Sequence, residues 1–331
     1  MKHVNVALFV VHKGCPHTCS FCNQRSITGV QKELTPQDVH NAAQTALASL
    51  DSETAAAGEI AFFGGSFTMI ERGYMISLLE AAGSYIREGL FKGIRISTRP
   101  DGIDDEICGL LREYGVTAVE LGAQSLDDRV LALNERGHTA KQVEDACRLL
   151  SSYGFELGLQ MMTGLYGSED SDCIETAEKM ISLHPATVRI YPTVVLRGTK
   201  LCELMQTGEF TPKDITETVP LCAKLITMFE NAGIKVIRVG LHSGGGVDGE
   251  AVGGAYHPAL RELCEGRIYL DAALRELSGL PSGRYTLEVG PGQRSKMTGQ
   301  KKVNLKILSE KGYICDVAEA EDTEKYIVRI R

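Results

Sequence analysis

The residues best able to do chemistry are three cysteines near the start of the chain. Cys15, Cys19 and Cys22 have the spacing C-x3-C-x2-C, directly after the first predicted strand. Thiolates are soft ligands that select zinc or iron–sulfur clusters. A structural zinc site needs four protein ligands, and His12 or His17 could supply the fourth. Three cysteines on a four-iron cluster would instead leave one iron open to a substrate or cofactor. We predict a metal centre here, and the spacing favours a cluster over zinc.

The chain that positions these cysteines alternates short β-branched segments with amphipathic helical segments. The predicted strands are apolar on both faces more often than alternating, which is typical of parallel strands covered by helices. Helix starts are marked by Thr35-Pro36, by Asp104 and by a capping box of Thr139 and Gln142. The predicted strands are 4–11, 59–63, 93–98, 117–124, 155–162, 186–195 and 235–242.

These units predict an α/β fold with right-handed crossovers between parallel strands. A complete TIM barrel needs eight such units, so we predict a partial (β/α)6 TIM-type barrel with an added strand. The cysteines follow the first strand, at the barrel edge where ligands bind. The predicted organisation is a barrel at 1–243, a glycine-rich linker at 244–254 and a small C-terminal α+β extension at 255–331. We expect this extension to cover the open end of the barrel.

Composition excludes several classes of protein. The 331 residues have a formal net charge of −8, which argues against a nucleic-acid binder that is basic throughout. The sequence contains no run of about 18 apolar residues, so it predicts no membrane span. The N-terminus lacks the pattern of a secretory signal. We therefore expect a cytoplasmic protein with reduced thiols. The cysteines outside the triplet form no motif and are predicted to be small buried hydrophobic residues.

The cysteine motif, with Phe21 before its last cysteine, resembles that of the radical S-adenosylmethionine (SAM) superfamily. Later strand ends resemble further motifs of this superfamily in the same order. The fourth is similar to motifs of the elongator catalytic subunit and the oxygen-independent coproporphyrinogen oxidases, and the sixth to the elongator subunit. The matching segments are Phe-Phe-Gly-Gly-Ser-Phe at 62–67, Ser-Thr-Arg-Pro-Asp at 97–101, Val-Glu-Leu-Gly-Ala-Gln-Ser at 119–125, Gln-Met-Met-Thr-Gly-Leu at 160–165 and Arg-Ile-Tyr-Pro-Thr at 189–193.

This resemblance implies a four-iron (4Fe-4S) cluster held by the three cysteines, with SAM bound to the remaining iron. In such enzymes the reduced cluster cleaves SAM to methionine and a 5′-deoxyadenosyl radical. An electron donor such as flavodoxin or ferredoxin is therefore an implied partner.

The resemblance also implies which residues contact SAM and substrate. Gly64 and Gly65 let the SAM amino group approach the backbone because they lack a Cβ atom, and Phe21 offers adenine a flat apolar surface. Polar contacts to SAM are expected from Ser97, Arg99, Gln124, Arg136 and Gln160, and contacts to substrate from Tyr191, Arg238 and His242.

A basic segment lies near the end of this acidic chain. Residues 291–313 carry six cations against one acid. Within it, Thr-Gly-Gln-Lys-Lys at 298–302 is similar to the GXXG loop with which KH domains clamp an RNA backbone, although Lys302 replaces the second glycine. A solvated helix face is the alternative. If the segment binds RNA, the contacts are predicted from Arg294, Lys296, Lys301, Lys302 and Lys306.

Three hypotheses for the function remain open. The first is a radical SAM enzyme that modifies a base of RNA, in particular tRNA, as the elongator-like segments and the basic segment favour. Residues 255–331 are too few for the acetyltransferase domain of the elongator subunit, so we expect none here. The second is a radical SAM enzyme that acts on a tetrapyrrole or another small molecule. The third is a non-catalytic iron–sulfur or zinc protein that binds RNA.

Overall fold

The computed structural model describes residues 4–10, 14–16, 18–23, 32–241 and 246–331. The strands within these ranges are β1 (Asn5–Val10), β2 (Glu59–Gly64), β3 (Gly93–Thr98), β4 (Val116–Gln124), β5 (Glu156–Thr163), β6 (Thr187–Pro192), β7 (Val194–Leu196), β8 (Lys235–Val239), β9 (Ala251–Gly254), β10 (Gly283–Val289), β11 (Tyr313–Glu319) and β12 (Arg329–Ile330).

The α-helices within the same ranges are α1 (Pro36–Ser49), α2 (Ser52–Ala56), α3 (Arg72–Arg87), α4 (Asp105–Glu113), α5 (Asp128–Leu133), α6 (Ala140–Ser152), α7 (Asp170–Ser182), α8 (Lys200–Thr207), α9 (Ile215–Asn231), α10 (Val247–Glu250), α11 (Leu260–Leu277), α12 (Arg294–Thr298) and α13 (Val303–Glu310). The predicted N-caps Thr35, Asp104 and Thr139 each accept a hydrogen bond from the first turn of their helix. The sequence pattern therefore located these helix starts correctly.

The main sheet has seven strands in the order β1-β2-β3-β4-β5-β6-β8, and every neighbouring pair is parallel. Helices connect the successive strands, and the sheet curls into a half-barrel. The prediction of a partial TIM-type barrel with a small C-terminal extension is therefore confirmed.

The sixth predicted strand, 186–195, is in fact two strands. β6 ends at Pro192, and β7 leaves the main sheet to pair antiparallel with β9. Pro192 has no N–H to donate to a ladder. The Thr193 N–H that follows donates to the Thr163 carbonyl, 2.9 Å away. The chain leaves the main sheet directly after this bond, and Val194 pairs with Gly254 of β9.

The two faces of the main sheet differ, against the expectation that its strands are apolar on both. In β3, Ile94 and Ile96 are fully buried in the core between sheet and helices. Arg95 and Ser97 alternate with these isoleucines and therefore lie on the opposite face, which points into the barrel. They are buried too, although they are polar. The barrel interior can hold charged side chains because they pair with opposite charges on other strands. The sequence of a single strand does not reveal these partners.

The predicted flexible linker, 244–254, contains regular structure in its described part. α10 begins at Val247, and β9 pairs with β7. Residues 242–245 lie outside the described ranges. Close packing requires glycine at position 254, because a Cβ atom there would lie only 2.4 Å from the Thr193 carbonyl oxygen.

The C-terminal extension is joined to the barrel by the long helix α11. Leu260 and Cys264 at its start pack in the main core, whereas Tyr269 and Leu277 pack in a second core under the sheet β11-β10-β12. Arg261 Nη1 donates to the Val236 carbonyl at 2.7 Å. The extension thus covers the edge strand β8, and this contact occupies a carbonyl that the edge would otherwise expose.

No helix in the described part of the chain is both long enough and apolar enough to cross a membrane.

Candidate active site

The cysteine loop after β1 is fixed by neighbours that are distant in sequence. Ser20 Oγ donates to Asn134 Oδ1 at 2.8 Å, and the Ser20 carbonyl accepts from Leu201 N at 2.9 Å. Cys22 N donates to the Cys19 carbonyl at 3.0 Å and closes a turn between the two thiols. These bonds hold the loop to the end of α5 and to the start of α8.

The loop also touches the glycine turn that follows β2. A Cβ atom on Gly14 would lie 2.0 Å from the Ser66 carbonyl oxygen, and one on Gly64 would lie 2.5 Å from the Val10 carbonyl oxygen. Gly14 and Gly64 have φ values of +76° and +116°, a region that favours glycine. Close packing therefore requires glycine at both positions and brings the cysteines beside Gly64 and Gly65.

The three thiols differ in exposure: Cys15 is exposed, Cys19 is buried and Cys22 is half-buried. Burial, followed by the negative charges of Cys19 and Cys15, raises the pKa of Cys22 to about 12. Arg136 opposes this effect, and its Nη1 lies 3.1 Å from Cys19 Sγ. Added positive charge, as a bound metal centre provides, would favour the thiolate form of Cys22.

No three His, Cys, Asp or Glu side chains of the described ranges are grouped closely enough to hold a single metal ion. A four-iron cluster takes one cysteine per iron rather than three on one ion.

A cavity of about 500 Å³ opens at this end of the barrel. Its volume suits a cofactor-sized ligand. The three cysteines line it, together with every residue that the resemblance assigned to SAM: Phe21, Gly64, Gly65, Ser97, Arg99, Gln124, Arg136 and Gln160. Sequence analysis missed Thr18, Asn23, Thr98, Gly122 and Gly198, which also line it. Thr98 and Gly122 could have been found, since both lie inside the quoted motifs.

A buried ion pair fixes the polar floor of the cavity. Arg189 binds Glu120 through two hydrogen bonds of 2.6 and 2.8 Å, and its guanidinium lies 5.0 Å from the centre of the Phe63 ring. Gln160 Nε2 donates to Glu120 Oε2 at 2.9 Å and to Ser97 Oγ at 3.2 Å. The Gln160 amide is thereby oriented by a carboxylate that is only 1% exposed.

Deeper in the barrel, Arg95 connects several carboxylates. It lies 2.7 Å from Glu59 and 2.6 Å from Glu156, and 3.6 Å from Glu120. Sequence analysis assigned no role to these residues. The available signal was the presence of charges inside otherwise apolar strands, which predicts that they are paired when buried.

Arg136 joins the cysteine loop to the end of β4. Its Nη2 donates to the Gly122 carbonyl at 2.5 Å, and its guanidinium lies 5.9 Å from the centre of the Phe21 ring. Arg99 Nη2 donates to the Arg136 carbonyl at 2.5 Å and also pairs with Asp101. The two arginines are therefore rigidly placed on the cavity wall.

β4 ends in an irregular bulge that presents Gln124 to the cavity. The register with β5 shifts between Leu121 and Gln124, and Gln124 has a φ of +67°, which is costly for a residue with a Cβ atom. His138 Nε2 lies 3.3 Å from the Ala123 carbonyl oxygen. Arg136 and His138 thus contact the carbonyls of the two bulged residues, Gly122 and Ala123.

We expect His138 to make stability depend on pH. Burial, followed by the charges of Arg136 and Arg99, lowers the pKa of His138 to about 4. The unfolded state, with a pKa near 6.5, therefore binds the proton more readily than the native state, and stability falls as the pH drops below about 6.5. Between pH 7 and pH 5 this one group should lower the free energy of unfolding by about 2 kcal/mol.

The measurement is urea unfolding of the protein and of His138→Gln at both pH values. The variant should lose about 2 kcal/mol less than the unsubstituted protein. Equal losses in the two proteins would show that His138 is not the group responsible.

Two of the residues expected to face substrate, Tyr191 and Arg238, do not line the cavity described above. Tyr191 is half-buried beside Arg189, and burial raises the pKa of its phenol. Arg238 is also half-buried, and its Nε donates to the Gly240 carbonyl at 3.1 Å. His242 lies outside the described residues. Substrate contact by these three residues stays a prediction.

The cysteines outside the triplet are all free and buried, in agreement with the expectation that they act as small hydrophobic residues. They are Cys108, Cys147, Cys173, Cys202, Cys222, Cys264 and Cys315.

Comparison with known families assigns the chain to a superfamily. The sequence profile of the radical SAM superfamily matches residues 9–180, more than half of the chain. The chain belongs to the radical SAM superfamily. A second profile, that of the radical SAM C-terminal domain, matches residues 185–269. Radical SAM proteins use a [4Fe-4S] cluster and SAM. These are the two cofactors that the sequence predicts for this chain.

Curated relatives resemble only part of this radical SAM chain. The tRNA uridine(34) acetyltransferase of Methanocaldococcus infernus is 36% identical over 124 residues, which cover 35% of this chain and 22% of that protein. Elongator complex protein 3 of Homo sapiens is 30% identical over 161 residues, covering 47% of this chain and 29% of that protein. The chain therefore aligns with less than a third of the length of either relative.

A solved structure agrees over a larger share. That of the archaeal Methanocaldococcus infernus Elp3 with an N-terminal deletion (1–46) has a TM-score of 0.66 and 19% identity, and covers 85% of this chain and 68% of that one. At this identity the match supports the fold alone.

Proposed function

We propose that this radical SAM protein cleaves SAM reductively at a [4Fe-4S] cluster bound by Cys15, Cys19 and Cys22, and that it modifies a base of RNA, in particular tRNA. The observation that carries the proposal is one cavity lined by the three cysteines and by all the residues expected to bind SAM. The superfamily supports an enzyme, and the cavity supplies a site for its cofactors.

Unpartnered atoms on the cavity wall support the fit of SAM. Gln124 Oε1, Arg99 Nη1 and Arg136 Nε are buried, and they have no hydrogen-bond partner among the described residues. Such an atom costs about 1–3 kcal/mol when it is left unsatisfied. All three residues line the cavity. Once these side chains turn toward it, a ligand with a carboxylate, hydroxyls and an amino group would offer partners to both the donors and the acceptor, and SAM carries all three groups.

When bound, the cluster and SAM together supply a one-electron cleavage that yields methionine and a 5′-deoxyadenosyl radical. In this proposal Cys15, Cys19 and Cys22 would hold the cluster and would leave a site on it open to SAM. Phe21 packs on adenine, and Gln160, oriented by Glu120, hydrogen-bonds to the polar part of the cofactor. Arg136 supplies positive charge beside Cys19. The electron comes from an external donor such as flavodoxin or ferredoxin.

The proposed substrate rests on two independent supports. The relatives in the comparison include a tRNA uridine(34) acetyltransferase, which acts on tRNA by its name. The chain also carries a cluster of cations in its C-terminal extension although its net charge is −8. Since phosphate contacts account for most non-specific affinity for nucleic acids, this cluster favours RNA over a small molecule.

The experiment follows hydrogen from substrate to cofactor. Anaerobically reconstituted protein is mixed with SAM, dithionite and either deuterated bulk tRNA or a deuterated metabolite extract. We expect 5′-deoxyadenosine to form, and to gain deuterium from the tRNA. Deuterium gained only from the metabolites would favour a tetrapyrrole or another small molecule. If no 5′-deoxyadenosine formed with any reductant, a non-catalytic iron–sulfur or zinc protein would be favoured.

A further inference from the structure

A second concavity, of about 580 Å³, lies in the C-terminal extension beside the segment that joins α12 to α13. Three of its lining residues are cations and two carry hydroxyls: Arg294, Lys301, Lys302, Ser295 and Thr298. One acid, Glu319, also lines it. None of the active-site residues described above belongs to this concavity, which we call the basic cradle.

The cations of the basic cradle are available to a ligand. Arg294, Lys301 and Lys302 are exposed, and none of their side chains forms an ion pair with another residue of the described ranges. By contrast, Lys296 lies 2.8 Å from the buried carboxylate of Glu265, and that pair belongs to the protein interior. Of the five cations expected to contact RNA, these three line the cradle, whereas Lys296 and Lys306 do not.

The floor of the basic cradle is rigid. Asn304, only 3% exposed, donates from Nδ2 to the carbonyls of Gly266 at 2.8 Å and Met297 at 3.0 Å. Gly266 belongs to α11, so this amide fastens the α12–α13 segment to the helix that also packs on the barrel. Met297 is fully buried in the second core. A ligand would therefore meet cations whose backbone is already ordered, which reduces the entropic cost of binding.

We propose that the basic cradle binds phosphodiester groups and docks the RNA substrate by its backbone. This proposal rests on the proposed function and adds to it a docking surface outside the active site. Two lysines and an arginine supply the charge, Ser295 supplies a hydroxyl donor, and no aromatic residue of the described ranges lines the cradle for base stacking. The Thr298 hydroxyl already donates to the Arg294 carbonyl at 2.8 Å. Contacts of this kind orient a nucleic acid without reading its sequence. The Glu319 carboxylate repels negative charge, so the bound phosphodiester lies on the side of the cradle that carries the lysines.

The test measures binding of bulk tRNA by fluorescence anisotropy at two salt concentrations. Lys301→Glu with Lys302→Glu should weaken binding by about tenfold or more and should flatten its salt dependence. The matched control is Lys306→Glu with Lys311→Glu, which makes the same charge change in the same extension but outside the cradle, and it should weaken binding by less than about threefold. Lys301→Arg with Lys302→Arg should retain affinity.

Two further readouts separate this proposal from the proposed function. SAM cleavage without RNA should be unchanged in the Lys301→Glu, Lys302→Glu variant, which also shows that it folds, whereas the KM for RNA should rise with kcat preserved. Equal losses in the two charge-reversed pairs would overturn the cradle. Absence of tRNA binding in a protein that still cleaves SAM would do so too. The RNA assignment would also be overturned if inorganic phosphate or a nucleotide bound the cradle in preference to tRNA.

Discussion

Replacing Cys19 with alanine is expected to abolish cluster assembly and to reduce release of 5′-deoxyadenosine by more than about a hundredfold. Loss of a residue that only hydrogen-bonds to a metal ligand already lowers metal affinity or activity by about 10–100-fold. Cys19 is proposed to bind iron directly, so its loss should have a larger effect. It is the buried member of the triplet, and its Sγ lies 3.1 Å from Arg136 Nη1. Two thiolates would remain for a cluster that needs three, and the Arg136 guanidinium would lose its anionic neighbour.

The matched control for this experiment is Cys147→Ala. Cys147 is also almost fully buried, but it lies in α6 within the hydrophobic core, so its loss costs packing alone. Iron content, visible absorbance after anaerobic reconstitution and 5′-deoxyadenosine release are measured for both variants. Cys147→Ala should match the unsubstituted protein in all three. A full cluster and normal SAM cleavage in Cys19→Ala would refute the proposed metal centre.

Replacing Glu120 with glutamine is expected to lower the free energy of unfolding by about 3–5 kcal/mol, because it leaves the largely buried Arg189 guanidinium without its counter-charge. Glu120 is 1% exposed. It accepts two hydrogen bonds from Arg189 and one from Gln160, and it lies 3.6 Å from Arg95. The neutral amide has almost the same shape, so the effect arises from charge rather than from a cavity.

Glu156→Gln is the control for Glu120→Gln. Glu156 also pairs with Arg95, but its side chain is 32% exposed, so water screens the change and Arg95 keeps Glu59 as a partner. Urea unfolding should show a loss below about 1 kcal/mol for this variant. If Glu120→Gln were no less stable than Glu156→Gln, the buried network would not be stabilising the barrel interior. SAM affinity should fall as well in Glu120→Gln, since Gln160 would lose its orienting carboxylate.

The cavity could be predicted from the sequence because much of its wall consists of residues at or just after the carboxyl ends of the predicted parallel strands. The carboxyl ends of parallel strands meet at a single edge of the sheet. Residues such as Gly64, Ser97 and Gln160 are therefore brought together however far apart they are in the chain. The placement of Tyr191 and Arg238 was harder to predict, because alternation along a strand indicates a face but not the depth of a side chain in the barrel.

The particular ion pairs of the polar interior could not be predicted from the sequence. The sequence pattern predicts strands that are apolar on both faces more often than alternating, and a charged residue in a strand carries no mark of its partner. Arg95 pairs with Glu59, 36 residues earlier, and Arg189 with Glu120, 69 residues earlier. These pairs exist because neighbouring strands have a particular register, and register is a property of the assembled sheet.

The amino-acid sequence by itself determined the cysteine spacing, the order of strands and helices, and the residue types available at each strand end, since these depend only on neighbours along the chain. Tertiary structure alone decided that β7 leaves the main sheet, that β4 bulges at Gln124, and that Arg294, Lys301 and Lys302 share one concavity whereas Lys296 is paired with Glu265. Each of these outcomes depends on which carbonyl or carboxylate lies opposite a given group, and folding brings those partners together from distant parts of the chain.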